Sequence, residues 1–193
     1  MCGACGTGLT RPPWEAVLGG NTPADRRRRA AAAGRATDNR VKVEPWGAAG
    51  YLVAPRGRMA QPVDSLDSLV RTLVPYQRLG LPHHGTDGSS QGGAASRPST
   101  SVLTLDVDRQ VLVVWAAFAA AVVDASTMIE IGISTPDHAG MRPFELAGGR
   151  VRLAAAAPGV SAACAMTVTS AASEQIGRSL RCFARPARFF STV

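Results

Sequence analysis

Lysine is nearly missing from this 193-residue chain: Lys42 is the sole example among 21 cationic residues. No Gly-x-x-x-x-Gly-Lys surrounds it, which excludes a P-loop. Gly3, Gly6 and Gly8 do not fit a dinucleotide fingerprint, and no His-Glu-x-x-His occurs, so two further catalytic signatures are absent. Aromatic side chains make up only 5% of the chain, so each stretch of it brings little apolar area to a core. The longest apolar run, 111–123, is closed off by Arg109-Gln110 and Asp124. As a helix it reaches about 20 Å, short of the roughly 30 Å hydrocarbon layer, so no transmembrane segment is expected. The first 22 residues carry no apolar core of a secretory leader. A soluble, cytoplasmic, reducing setting is the expectation.

Four cysteines in a chain of this length do not form a disulfide framework. Cys164 and Cys182 stand alone in apolar surroundings. Cys2 and Cys5 have the Cys-x-x-Cys spacing, followed directly by Gly6, and two thiolates so placed can wrap one metal ion in a tight turn. The pair looks like the first loop of a zinc ribbon or treble-clef finger. Two ligands do not complete a structural zinc site, and no second Cys-x-x-Cys exists. The candidates for the missing donors are His83 and His84, from the same chain or from a second subunit in a homodimer that shares its zinc ligands. A redox role would need the pair to open a helix after a buried strand, and nothing precedes residue 2 to make one.

The positive charge is unevenly placed. Residues 1–80 hold 12 cationic side chains against 6 anionic, whereas residues 101–193 hold 8 against 7. A basic surface attracts nucleic acid, anionic lipid or acidic proteins without choosing among them. Arg26, Arg27, Arg28 and Arg29, with Arg35 and Arg40, are the residues that could line phosphates. Four consecutive helical positions point around the whole circumference, so a solvated helix surface competes with that reading. Trp14, Trp46 and Tyr51 are the nearby aromatics, and they read as core pieces of a small domain.

The hydrophobic patterning divides the chain in three. Thr22 has the marks of an N-cap, with Pro23 at the first helical position and Asp25 in the first turn; Gly34 or Asp38-Asn39 would end that helix. Three extended segments follow, at 41–44, 51–54 and 59–63, punctuated by Gly47, Gly50 and Pro55-Arg56-Gly57. Asp64 then caps a short helix with Leu66, Leu69, Val70 and Leu73 on one face, ended by Pro75. Residues 1–80 thus read as a basic α+β unit of knuckle, helix, small antiparallel sheet and helix. Residues 81–100, rich in Gly and Ser, read as a flexible linker. Residues 101–193 read as a strand-rich segment. Leu103, Leu105 and Val107 alternate with polar residues, as do Ile129, Ile131 and Ile133, with weaker strands at 151–153 and 164–169. A turn is read at Asp108-Arg109-Gln110, and 111–123 is ambiguous between strand and helix. A final helix, capped by Ser170, puts Ile176, Leu180 and Phe183 on one face.

Together these features point to a small α+β, non-enzymatic protein that binds zinc at its N-terminus and uses its basic surface for nucleic acid or an acidic partner. The alternative is a metal-free interaction or scaffolding protein, or a chain whose Arg- and Ala-rich composition follows GC-rich codons rather than a selected function. An enzyme using a cysteine or His138 would need a concave pocket with a second polar group beside it.

Overall fold

The computed structural model describes residues 22–82, 99–134, 144–146, 149–156, 158–161 and 163–184. Helices and sheets are both present, giving an α+β fold. The chain divides into two compact units, one drawn from residues 1–78 and 109–121 and the other from 79–108 and 122–193.

The first unit opens with helix α1 (Pro23–Ala36). A capping box starts it: the Asp25 amide donates to Thr22 Oγ1 and the Thr22 amide donates to Asp25 Oδ2, each at 3.1 Å. The bond from the Thr22 hydroxyl holds the Asp25 carboxyl below its ordinary range, although partial burial opposes it. Pro23 occupies a position whose amide would have no helical acceptor in any case. The helix stops where Asp38 and Asn39 turn to φ of 51° and 55°, and Asn39 donates its amide back to Gly34 O at 2.9 Å. Asn and Asp tolerate that left-handed turn better than other side chains. Ala30, Ala33 and Ala36 are buried, and α1 packs against the first strand.

Strands β1 (Val41–Trp46), β2 (Gly50–Pro55) and β3 (Gln61–Val63) form an antiparallel sheet in that order. Val41 pairs with Pro55 and Trp46 with Gly50, while Tyr51 pairs with Val63. Pro45 and Pro62 both fall on edge strands, where a missing N–H interrupts no central ladder. The ion pair of Lys42 with Glu44, at 2.8 Å, decorates the exposed side of edge strand β1. Helix α2 (Leu66–Leu73) buries Leu66, Leu69, Val70 and Leu73, the stripe read from the sequence. Its N-cap is Ser65, not Asp64; Asp64 lies one residue earlier and receives the Ser65 and Ser68 hydroxyls. A 3-10 turn over Val74–Tyr76 contains Pro75 and closes the helix.

Helix α3 (Arg109–Val122) resolves the ambiguous apolar run and replaces the turn expected at Asp108-Arg109-Gln110. Residues 112–119 are all buried, Trp115 and Phe118 completely. A run buried on every side carries no amphipathic signature, so periodicity could not tell strand from helix. Fourteen residues exceed a usual strand, and alanine fills its second half.

The second unit holds β4 (Ser99–Leu105), β5 (Met128–Ile133), β6 (Phe144–Leu146), β7 (Val151–Ala155) and β8 (Cys164–Ser170) in the order β4-β8-β5-β7-β6. All neighbours are antiparallel except β5 and β7. Ile129, Ile131, Ile133, Val151, Leu153, Cys164, Met166 and Val168 are buried, while their alternates face outward. Helix α4 (Ser173–Ala184) packs on β4 and β8 and buries Ile176, Leu180 and Phe183. Ser170 ends β8 rather than capping that helix, and its hydroxyl accepts from the Ala172 amide at 3.1 Å. Gly177 lies under Leu103, whose Cδ2 is 3.7 Å from where a Cβ would stand. At the ends of the expected linker, Leu81 is buried and Ser99 begins β4; residues 83–98 lie outside the described residues.

Candidate functional site

The six arginines singled out from the sequence separate into two groups. Arg26 and Arg29, one helical turn apart, point into the first unit and are 8% and 1% exposed. The Arg26 guanidinium holds the β1–β2 turn: Nη1 donates to the carbonyls of Gly47 (2.8 Å) and Ala48 (2.9 Å), Nη2 to those of Trp46 (3.2 Å) and Gly50 (3.3 Å). Its Nε is buried and has no hydrogen-bond partner among the described residues. Arg29 Nε donates to Gln110 Oε1 within the same unit. These two cations organise the fold. Arg27, Arg28 and Arg40 are exposed, and Arg35 is half-buried.

Tertiary structure adds arginines that the linear reading passed over. The Arg56 amide donates to Arg40 O at 3.1 Å, extending the β1–β2 ladder by one pair and bringing two exposed arginines to the same end of the sheet. Arg58 follows in the turn after β2, and its Nη1 donates to the Tyr76 hydroxyl at 3.3 Å. Arg78, two residues beyond Tyr76, anchors its amide on Ala36 O at 2.7 Å, at the carbonyl end of α1. Arg40, Arg56, Arg58 and Arg78 are thus collected at one end of the unit. Asp38 is the one acid in the segments 35–42, 54–60 and 76–78 that build it. The carbonyl end of a helix favours cations, so the backbone assists this placement. Chemically, such an end can neutralise a polyanion.

The second unit presents an open sheet face. One row crosses all five strands, Val102–Thr167–Glu130–Arg152–Glu145, through successive register pairs. Arg152 Nη1 reaches Glu130 Oε2 at 3.3 Å, and both side chains are about half exposed. A shallow cavity of about 330 Å³ runs along this row between Met128, Gly149 and Thr169. Such a face is what an antiparallel sheet with one solvated side shows. The Cys164 thiol on the opposite side is pushed up to about 11 by burial, with Asp106 adding to the effect. That protonated thiol is no nucleophile at neutral pH.

Cys2, Cys5, His83 and His84 lie outside the described residues, as do Trp14, Asp137 and His138. A serine with Gly-x-Ser-x-Gly spacing, Ser90 between Gly88 and Gly92, lies outside them too. Among the described residues there is no group of three or more His, Cys, Asp or Glu side chains placed to hold a metal ion. Among them, also, no helix is long and apolar enough to cross a membrane. Of the three aromatics read as core pieces, Tyr51 is buried, whereas Trp46 is 57% exposed at the end of β1.

Fold and surface together define a two-unit α+β chain whose first unit carries a basic end. No family model, no curated protein and no solved structure matches it.

Proposed function

We propose that this chain acts by binding rather than by catalysis, and that the basic end of its first unit receives the phosphate backbone of nucleic acid. The observation that carries this reading is the convergence of Arg40, Arg56, Arg58 and Arg78 around the end of the β1–β2 ladder, with Asp38 as the one acid in the segments 35–42, 54–60 and 76–78 that build it. Arginine suits the role because its planar fork matches phosphate oxygens and stays charged at any physiological pH. Arg27 and Arg28 are likewise exposed, earlier on α1. No base-reading constellation accompanies it, so the expected recognition is of backbone charge rather than of sequence.

The test is fluorescence anisotropy with a labelled duplex of roughly 20 base pairs, read as the slope of log K against log salt. Each phosphate contact removed lowers the slope by about 0.9, so Arg40→Gln with Arg56→Gln lowers it by about two. Arg71→Gln, which removes the partner of Asp67 elsewhere on the unit, serves as the control. No binding at low salt, or a slope unmoved by the double substitution, refutes the reading. Binding of polyglutamate without binding of the duplex transfers the same surface to an acidic protein.

A further inference from the structure

A second feature of the first unit has the opposite character. Trp46, Gly47, Ala48 and Ala49 form one wall of a groove of about 350 Å³, and Pro62, Val63 and Asp64 form the other. The walls are apolar apart from Asp64. Trp46 stands at the lip with more than half its surface in solvent. The near wall is held in place, because the four carbonyls of the turn converge on the Arg26 guanidinium. Gly50 lets the two walls approach: a Cβ there would stand 2.4 Å from Val63 O and 3.4 Å from the Asp64 Cα.

Asp64 is fixed with equal care. Ser68 Oγ and Ser65 Oγ both donate to its Oδ1, at 2.6 and 3.1 Å. Those two hydroxyls, Ser68 foremost, hold its carboxyl below the ordinary range, so it is ionised at neutral pH. An exposed indole and a fixed acidic residue therefore line one apolar groove. That combination suits a cation with a flat, weakly hydrated head: the ring face attracts the charge, the carboxylate pairs with it, and the apolar walls cover its stem. The Arg26 guanidinium behind the near wall is a like charge, but its forks already serve the turn carbonyls.

We infer that the Trp46–Asp64 groove is a docking site for an arginine side chain presented by an extended peptide of a partner protein. Arginine fits better than lysine because its guanidinium stacks on an indole while donating sideways to a carboxylate. The site is independent of the nucleic-acid reading, since it lies at the turn end of the β1–β2 hairpin and the basic cluster lies at the ladder's other end.

The test titrates the isotope-labelled full chain with acetyl-Gly-Arg-Gly-amide and with its citrulline twin, which keeps the shape and loses the charge. Trp46→Leu identifies which of the three indole N–H signals belongs to Trp46. The arginine peptide is expected to shift the Trp46 indole and the Gly50 and Asp64 amides saturably, and the citrulline peptide to bind about tenfold more weakly. Asp64→Asn should make the two peptides equivalent, with the rest of the spectrum unchanged. Equal binding of both peptides to the native chain overturns the inference, as does tighter binding of acetyl-Gly-Leu-Gly-amide, which would mark a merely apolar groove. A Trp46 shift that depends on protein concentration without peptide also overturns it, assigning the groove to a second copy.

Discussion

Replacing Arg26 by alanine should destabilise the first unit far more than replacing its exposed neighbour Arg27. Four carbonyls lose a donor at once: those of Trp46, Gly47, Ala48 and Gly50, the first and last of which keep their ladder bonds. The loss is not four times a charged hydrogen bond, because Trp46, Gly47 and Ala48 are exposed and their carbonyls regain water. Gly50 is buried and does not. Taking about 1 kcal/mol for the two short bonds together after rehydration, and about 1 kcal/mol for the bond to Gly50, whose carbonyl keeps its ladder partner Trp46, gives a cost of about 2 kcal/mol. Arg27→Ala, one residue along and exposed, should stay within about 0.5 kcal/mol of the native chain. Arg26→Lys should recover part of the difference, since an ammonium is a point donor that cannot span the turn. Urea denaturation of the three variants, compared at unchanged m value, reads this directly. If Arg26→Ala and Arg27→Ala lose the same stability to within about 0.5 kcal/mol, the guanidinium does not hold the turn and the argument fails.

Gly50→Ala should cost about 2 kcal/mol or more and disturb the β2–β3 amide signals, because its Cβ would sit 2.4 Å from the Val63 carbonyl oxygen, a backbone atom that cannot swing away. Among the described cysteines, maleimide labelling at neutral pH should modify exposed Cys182 and spare buried Cys164, a pattern read by mass spectrometry of the digested chain. The Cys164 thiol also has a stability consequence. Its folded value is raised, so the unfolded chain loses that proton first, and stability falls as pH climbs from the ordinary thiol value toward about 11. Denaturation of Cys164→Ala should show a smaller alkaline loss. For the Cys2–Cys5 pair, zinc binding as expected from the spacing means that atomic absorption on purified protein finds one zinc per chain, lost in Cys2→Ser with a fall in thermal stability; no zinc and no change would refute that expectation.

Local chemistry was enough to place most elements. Thr22, Pro23 and Asp25 marked the start of α1, the stripe of Leu66, Leu69, Val70 and Leu73 marked α2, and alternating Ile129, Ile131 and Ile133 marked β5. Each is a pattern of period 3.6 or 2, or a cap, that a short window contains in full. The run 111–123 was not decidable that way, because burial on all sides erases periodicity. The three-residue strand β6 was invisible for the opposite reason, being too short to carry any period.

What sequence determined by itself was the α+β class, the separate basic character of the first 80 residues, and the Cys2–Cys5 spacing. Which arginines are surface and which are scaffold was decided only by folding. Arg26 to Arg29 are four identical side chains in a row; helical geometry turns the first and last inward, toward carbonyls and Gln110, and leaves the middle two in water. Arg40 and Arg56 became neighbours because antiparallel register pairs the beginning of one strand with the end of the next. Distance along a chain says little about proximity once strands pair, and charge acts through space.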